Sequence, residues 1–277
     1  ADFLRKPMTF LAGIDMPRKS SKVGDEFMAT TPARVRKTRL FIPLFDNSPF
    51  RGWQIDLGAA FLKLIGRRRT PLNYRRTAAA EAGGLPFVKW LRKDVALRSV
   101  VGIDDHQFVA PERMCIDSIL DARRMGAVAL NYVAAERIRR IGEGWEVGLR
   151  FPDGDTAAVT GKVLLNFAGV WIDRINEIAA GNKAVSRRIV GVKGVSVAIQ
   201  LPPECEGVGI AGTNAEGDAV MCVPWGKLHY LGPTETVYDG DIETIQPEPA
   251  DIDHLLHDVN ELLPGLNVKR SDILYAW

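Results

Sequence analysis

The sequence predicts an α/β fold of mixed α+β character, and three features of its 277 residues predict it. Residues 111–180 read as helix, strand, hairpin, strand and helix in succession. The last third is rich in strand-like runs and carries one amphipathic helix, Pro249–Leu263. The first third is basic and helical in pattern. These shifts divide the chain into residues 1–94, a helical and basic region; residues 95–183, an α/β domain with a β-meander; and residues 184–277, a mixed-sheet domain.

The elements follow from local chemistry. Residues 1–37 are basic and weakly helical, and Thr38–Phe45 is a short apolar run, strand or helix, closed by the turn Asp46–Pro49. Helical spacing covers residues 53–65 and 77–93, the second stretch interrupted by Gly83–Gly84 and Pro86. Val95–Val101 reads as a strand. Pro111 and Glu112 open a helix that runs to Met125 and stops at Gly126. Val128–Ile138 reads as a strand. Trp145–Phe151, the turn Pro152–Asp155 and Thr156–Thr160 make a hairpin. Lys162–Phe167 reads as a buried strand and Val170–Ala180 as a helix. The succession suits a dinucleotide-type α/β domain with an inserted meander. Arg188–Leu201, Ala219–Gly232 and Ile273–Trp277 supply the strands of the last third.

Composition sets wide bounds. A hydrophobic share of 46% and a charged share of 25% are ordinary for a globular protein. Three scattered cysteines, Cys115, Cys205 and Cys222, argue against a disulfide framework or a cysteine metal cluster, so a reducing cytoplasmic setting is expected. No apolar run approaches a membrane span, and any membrane contact is expected to be peripheral. Residues 1–100 hold 20 Lys/Arg against 8 Asp/Glu, and residues 101–277 hold 16 against 26. The densest basic cluster, Arg67–Arg69 with Arg75–Arg76, follows the apolar run Leu57–Ile65. Two readings fit it: a helix end whose cations suit the C-terminal dipole, or a surface for anionic lipid or a phosphorylated substrate. No compact basic domain with interleaved aromatics is present, which weighs against nucleic acid. The chain opens without Met and stops inside an apolar run, so an internal piece of a longer polypeptide is expected.

Gly207–Gly212 spells G-x-G-x-x-G, but Pro202–Pro203 precede it and a polar stretch follows. The pattern works where a strand feeds it and a helix leaves it, so a surface loop is expected here. The four histidines, His106, His229, His254 and His257, lack zinc-ligand spacing, and packing or surface roles are expected for them.

The most informative stretch is Ala219–Gly240: two apolar runs around Pro224–Lys227, then Thr234, Thr236 and Tyr238, ending in Asp239–Asp241. This order resembles the FAD-dependent glycerol-3-phosphate dehydrogenases. Ile242–Pro264 resembles the family's helix after Tyr-x-Gly-Asp, and Lys269–Trp277 the strand leading to its Gly-Val-Arg-Pro. Phe108–Val109 with Glu112–Met114 is similar to its Asp-Ala-Arg-Leu helix start, and Leu164–Asp173 to its Asn-Ala-Ala-Gly-Pro-Trp turn. Arg188–Ile199 resembles the segment carrying Lys-Gly-Ser-His. The resemblance implies a partial FAD-binding Rossmann-like domain with a β-meander plus a mixed-sheet substrate domain, lacking the family's N-terminal dinucleotide fingerprint.

The resemblance also implies site residues. Val133, Ala134, Ala168 and Gly169 would line FAD, with the small pair at 168–169 letting backbone approach the cofactor. A tight strand-to-helix turn with nothing bound fits the same residues. Lys193, Ser196 and Thr234 would face the substrate, Lys193 as a compact cation for phosphate, a position that an exposed strand lysine fits equally; Thr234, Thr236 and Tyr238 would offer hydroxyls to the phosphate, or serve simply as strand residues. Ser196 stands where the family carries a catalytic His, and a hydroxyl does not take up a proton near neutral pH. No catalytic base is assigned. The implied function is hydride transfer to FAD from the secondary alcohol of a small phosphorylated substrate, with electrons passing to a quinone. An amine or amino-acid oxidase of the same superfamily, or a catalytically impaired binding module, is the alternative.

Overall fold

The computed structural model describes residues 19, 22–24, 26–65, 73–181, 183–214 and 217–277. The basic triplet Arg67–Arg69 and most of the weakly helical region 1–37 lie outside them. The described chain forms two compact units. The first holds the described residues up to Met114 with Gly194–Thr234 and Gln246–Trp277; the second holds Cys115–Lys193 and Glu235–Ile245.

The first unit is built on one eight-stranded mixed sheet. Its strands are β1 (Val35–Phe45), β2 (Arg75–Ala78), β3 (Leu97–Phe108), β8 (Val197–Ile199), β9 (Val208–Thr213), β10 (Ala219–Trp225), β11 (Leu228–Leu231) and β13 (Ile273–Ala276). They lie in the order β13-β8-β11-β10-β9-β1-β3-β2. β1 runs parallel to β9, and the other neighbours pair antiparallel. The β-branched and aromatic residues of β1 suit a pleated ladder, and its second half, from Leu40 to Phe45, is largely buried. The predicted hairpin is β10–β11, with Trp225 opposite Leu228 and Gly226 at φ +62° making the turn.

Two helices flank this sheet in sequence: α1 (Gly52–Ile65) and, near the chain's end, α4 (Pro249–Leu262). Pro249 occupies the first turn of α4, and the Glu248 N–H donates to Asp251 in a capping box. Leu255, Val259 and Leu262 fall on one face and are buried in the core with Phe41, Phe45, Phe87, Ile199, Ile210 and Cys222. Each such side chain contributes about 1.5–3 kcal/mol on burial.

Within the Gly207–Gly212 run, Val208 onward is strand and only Gly207 is a turn, which corrects the loop expectation, and Gly209 and Gly212 serve packing. A Cβ on Gly209 would stand 2.7 Å from Leu40 Cδ2 and 2.8 Å from the Cys222 carbonyl. One on Gly212 would stand 2.9 Å from Leu262 Cδ2. Gly212 thus lets α4 settle onto the sheet. No helix leaves the motif, so it carries no phosphate loop. The helix expected over residues 77–93 is also corrected: β2 takes its start, and 3₁₀ turns at Ala79–Gly84 and Val88–Trp90 follow, because Gly83–Gly84 and Pro86 break any longer run.

The helix α2 (Pro111–Arg124) has its expected bounds within a residue, with Gly126 at φ +97° beyond it. In the second unit, β4 (Ala134–Ile141), β5 (Gly144–Arg150) and β6 (Thr156–Gly161) form the three-stranded antiparallel meander, and α3 (Ile172–Ala180) packs on β4. The two-residue strands β7 (Val192–Lys193) and β12 (Thr236–Val237) pair antiparallel. Two expectations fail here. Residues 128–133 lie outside any ladder, with Tyr132 at φ +58°, and the strand begins only at Ala134. Residues 162–167, expected as a buried strand, are unpaired, and Val163, Leu165 and Phe167 are exposed. Their apolar character is that of a covered strand, and the described residues do not cover it.

Candidate functional site

The turn before α3 is fixed by one side chain. The Asn166 Oδ1 accepts the Ala168 N–H at 3.1 Å, an Asx turn. Its Nδ2 donates to the Ile172 carbonyl and to Asn176 Oδ1, both at 3.0 Å. Between these ties the chain passes through Gly169 at φ +56°, a conformation in which glycine avoids the cost a Cβ incurs. Nothing lies within 4 Å of where that Cβ would stand. The backbone at Gly169 therefore faces open space while its neighbours are held.

The segment opposite is anchored to the same helix. Asp173, in the first turn of α3, accepts the N–H of Arg188 (2.9 Å to Oδ2) and of Ile189 (3.2 Å). Arg187 donates from both terminal nitrogens to Asp239 at 3.2 Å. The Tyr238 N–H donates to the Gly191 carbonyl at 2.9 Å, and a Cβ on Gly191 would collide with the Tyr238 carbonyl. Trp171 Nε1 donates to Glu243 at 3.0 Å. Beside these ties lies an open cavity of about 970 Å³. Its apolar lining includes Val170, Trp171, Val192, Ile242 and Ile245, and Gly169 lines it as well. Its charges are Asp173, Glu177, Asp239 and Asp241 against Arg187 alone. With Arg187 already on Asp239, the lining favours an uncharged or cationic occupant over a phosphate dianion.

The FAD-dependent oxidoreductase family model, DAO, matches residues 35–277. The chain belongs to the DAO family of FAD-dependent oxidoreductases. It is 22% identical over 276 residues to a glycerol-3-phosphate dehydrogenase of Synechocystis sp., a match covering 95% of this chain and 49% of that protein. An aerobic glycerol-3-phosphate dehydrogenase of Staphylococcus epidermidis is 30% identical over 171 residues, 60% of this chain and 30% of that protein. Among solved structures, the glycerol-3-phosphate dehydrogenase of Bacillus halodurans complexed with FAD superposes with a TM-score of 0.69 at 19% identity, over 96% of this chain and 46% of that one. The chain thus spans about half or less of the length of the curated relatives it matches.

The residues expected to serve this DAO-family chain are distributed unevenly. Val133, Ala134, Ala168, Gly169 and Lys193 lie in the second unit, Ser196 and Thr234 in the first. Gly169 alone of the first group lines the cavity. Val133 and Ala134 stand at the start of β4. Lys193 is buried, pairs in register with Thr236, and holds its ammonium 6.0 Å from the centroid of the Tyr238 ring. Ser196 is buried and exchanges two backbone hydrogen bonds with Trp277, at 2.9 and 3.0 Å. Thr234 is buried, and its Oγ1 accepts the Val195 N–H at 2.9 Å. Sequence reading missed the positioning roles of Asn166 and Asp173; it singled out Tyr238 for its hydroxyl, whereas here the Tyr238 backbone N–H ties to Gly191. The Leu164–Asp173 run draws attention through its small residues, whereas the positioning is done by the polar residues at either end.

His229 also finds its place. It is buried on β11, its Nε2–H donates to the Val208 carbonyl at 2.9 Å, and its ring meets Phe87 edge-on at 6.3 Å. Burial holds its pKa below the ordinary 6.5. It is a packing residue of the core. Among the described residues no cluster of His, Cys, Asp and Glu is arranged for a metal, and no helix is long and apolar enough to cross a membrane.

Proposed function

We propose that this chain is the flavin-turn and substrate-side portion of a dehydrogenase that oxidises the secondary alcohol of a small phosphorylated substrate, of the glycerol 3-phosphate type, to a ketone. The observation that carries the reading is the clamped, open backbone at Ala168–Gly169 beside an apolar-walled cavity in a DAO-family chain. In this reading the second unit is part of a Rossmann-like FAD domain. At Gly169 the residues fit the group, since open space beside its backbone leaves room for a flat cofactor, and Val133, Ala134 and Ala168 would line it further. FAD, when bound, supplies the two-electron acceptor for the hydride, and a quinone takes the electrons onward.

What the chain's own residues do is position. Asn166 and Asp173 fix the turn and the facing segment, so the rim of the cavity is preorganised. In the second unit Lys193 offers a compact charge to a phosphate, and in the first unit the hydroxyls of Ser196 and Thr234 are hydrogen-bond donors. Thr234 keeps its O–H for donation, since its oxygen already accepts from Val195. Ser196 is no base.

A second reading, an amine or amino-acid oxidase, draws support from one observation: four carboxylates and a single guanidinium line the cavity. An ammonium substrate matches that balance better than a phosphate. Anaerobic addition of glycerol 3-phosphate to the complete FAD-loaded protein tests the first reading, and bleaching of the flavin band is expected. A flavin that stays oxidised with glycerol 3-phosphate yet bleaches with amines would move the assignment to the second.

Peripheral membrane contact is part of the proposal. Phe50, Trp53, Leu57 and Phe61 are exposed along the start and one face of α1, and the basic triplet follows that helix in sequence.

A further inference from the structure

Phe167 carries the most exposed aromatic ring among the described residues, at 87%. Its backbone is fixed nevertheless. Asn166 before it donates to the Ile172 carbonyl and to Asn176 Oδ1, and Ala168 after it donates its N–H to Asn166 Oδ1. Both neighbours are half-buried, so the chain packs through them and turns the phenyl outward. Two residues on, Gly169 is exposed as well, with nothing within 4 Å of a Cβ. Single exposed apolar residues are ordinary, but a ring held outward on a pinned turn, beside open backbone, presents a preset stacking face. The sequence marks the same position. Residues 166–171 follow the resembled motif Asn-Ala-Ala-Gly-Pro-Trp in order, keeping Asn166, Ala168, Gly169 and Trp171, and Phe167 stands at its first Ala. A methyl group there offers a point of contact, and a phenyl offers a surface.

We infer that Phe167 stacks on a flat ring of bound FAD, the isoalloxazine or the adenine, and so adds a side-chain contact to the backbone contact at Gly169. The two positions are at most about 7 Å apart along the chain, so one fused ring system spans both. A phosphate or a sugar hydroxyl gains nothing from a phenyl face, because it needs charge or hydrogen-bond partners. A planar conjugated ring gains buried area and offset stacking together. The inference rests on the cofactor's place proposed above and is independent of the substrate.

Titration of the complete apoprotein with FAD tests it, in the wild type and in Phe167→Ala, Phe167→Leu and Phe167→Trp. Phe167→Ala is expected to weaken FAD binding about tenfold, Phe167→Leu to recover only part of that loss, and Phe167→Trp to stay within about threefold of the wild type. The melting temperature of the apoprotein is expected to move by no more than about 2 °C in any variant, because the ring packs on little. Two further readouts name the ring. An indole touching the isoalloxazine donates an electron to its excited state, so loss of flavin emission in Phe167→Trp assigns that ring, whereas weaker ADP binding by Phe167→Ala assigns the adenine. The inference is overturned if Phe167→Ala binds FAD as tightly as the wild type, or if Phe167→Leu restores full affinity, since bulk alone would then suffice. Unquenched emission in Phe167→Trp together with unchanged ADP binding by Phe167→Ala overturns it too. So does a fall of several degrees in the apoprotein melting temperature of Phe167→Ala, which would make the ring a packing residue. A protein that takes up no FAD overturns both this inference and the cofactor reading. A tenfold loss of FAD affinity in Phe167→Ala supports the inference even where glycerol 3-phosphate fails to bleach the flavin.

Discussion

Gly169 holds the turn before α3 through its backbone geometry. At φ +56° an alanine is strained by about 1–2 kcal/mol, although nothing would touch its methyl group. Gly169→Ala in the complete protein is expected to weaken FAD binding roughly tenfold, read by flavin titration, while the melting temperature moves by only a few degrees. His229 makes a separate prediction. Its folded pKa lies below the unfolded value of 6.5, so below that pH the unfolded chain binds a proton that the folded chain refuses. Its contribution to stability is complete above pH 6.5 and is lost as the pH falls through the folded value. Denaturant midpoints measured from pH 7.5 to 5 should decline, and His229→Gln should flatten that decline. How legible these roles are in the sequence differs. The small pair at 168–169 can be read directly, because lack of bulk is visible in the letters. The roles of Asn166 and Asp173 cannot, since their partners are backbone groups that become neighbours only when the turn closes.

At the scale of elements, the clearest error of sequence reading concerns Gly207–Gly212. The prolines before it and the polar stretch after it suggest a loop, but Val208–Thr213 is a strand in which Gly209 and Gly212 leave room for Leu40, Cys222 and Leu262. Gly212→Ala would place a methyl 2.9 Å from Leu262 Cδ2 and is expected to cost about 1–3 kcal/mol of stability without changing the cofactor titration. The helix α1, by contrast, is legible almost to the residue, since its spacing and its Gly52 start are local features. It is held by Asp56, which accepts from Arg76 Nη2 at 2.6 Å and from the Tyr74 hydroxyl; burial and that bond push the Tyr74 pKa up to about 12. Its exposed stripe gives a further test. Trp53→Ser, Leu57→Ser and Phe61→Ser together should reduce sedimentation with vesicles containing anionic lipid several-fold, and added salt should weaken what remains. Equal binding by the variant would dismiss α1 as a membrane contact.

For the whole molecule, the strand-rich last third and the meander were foreseeable, whereas the eight-stranded sheet was not. Its assembly pairs β1 with β9 across about 170 residues, a register that no local pattern encodes. The two expected strands that stay unpaired among the described residues, 128–133 and 162–167, mark a limit of another kind, since apolar content alone does not say which segment a run pairs with. The account's central claim is that backbone at Ala168–Gly169 meets the flavin cofactor. Hydrogen exchange at residues 168–171 of the complete protein, compared with and without FAD, tests it most directly. Slower exchange on cofactor addition, diminished in Gly169→Ala, is the predicted result. A protein that binds FAD with exchange at this turn unchanged would contradict it.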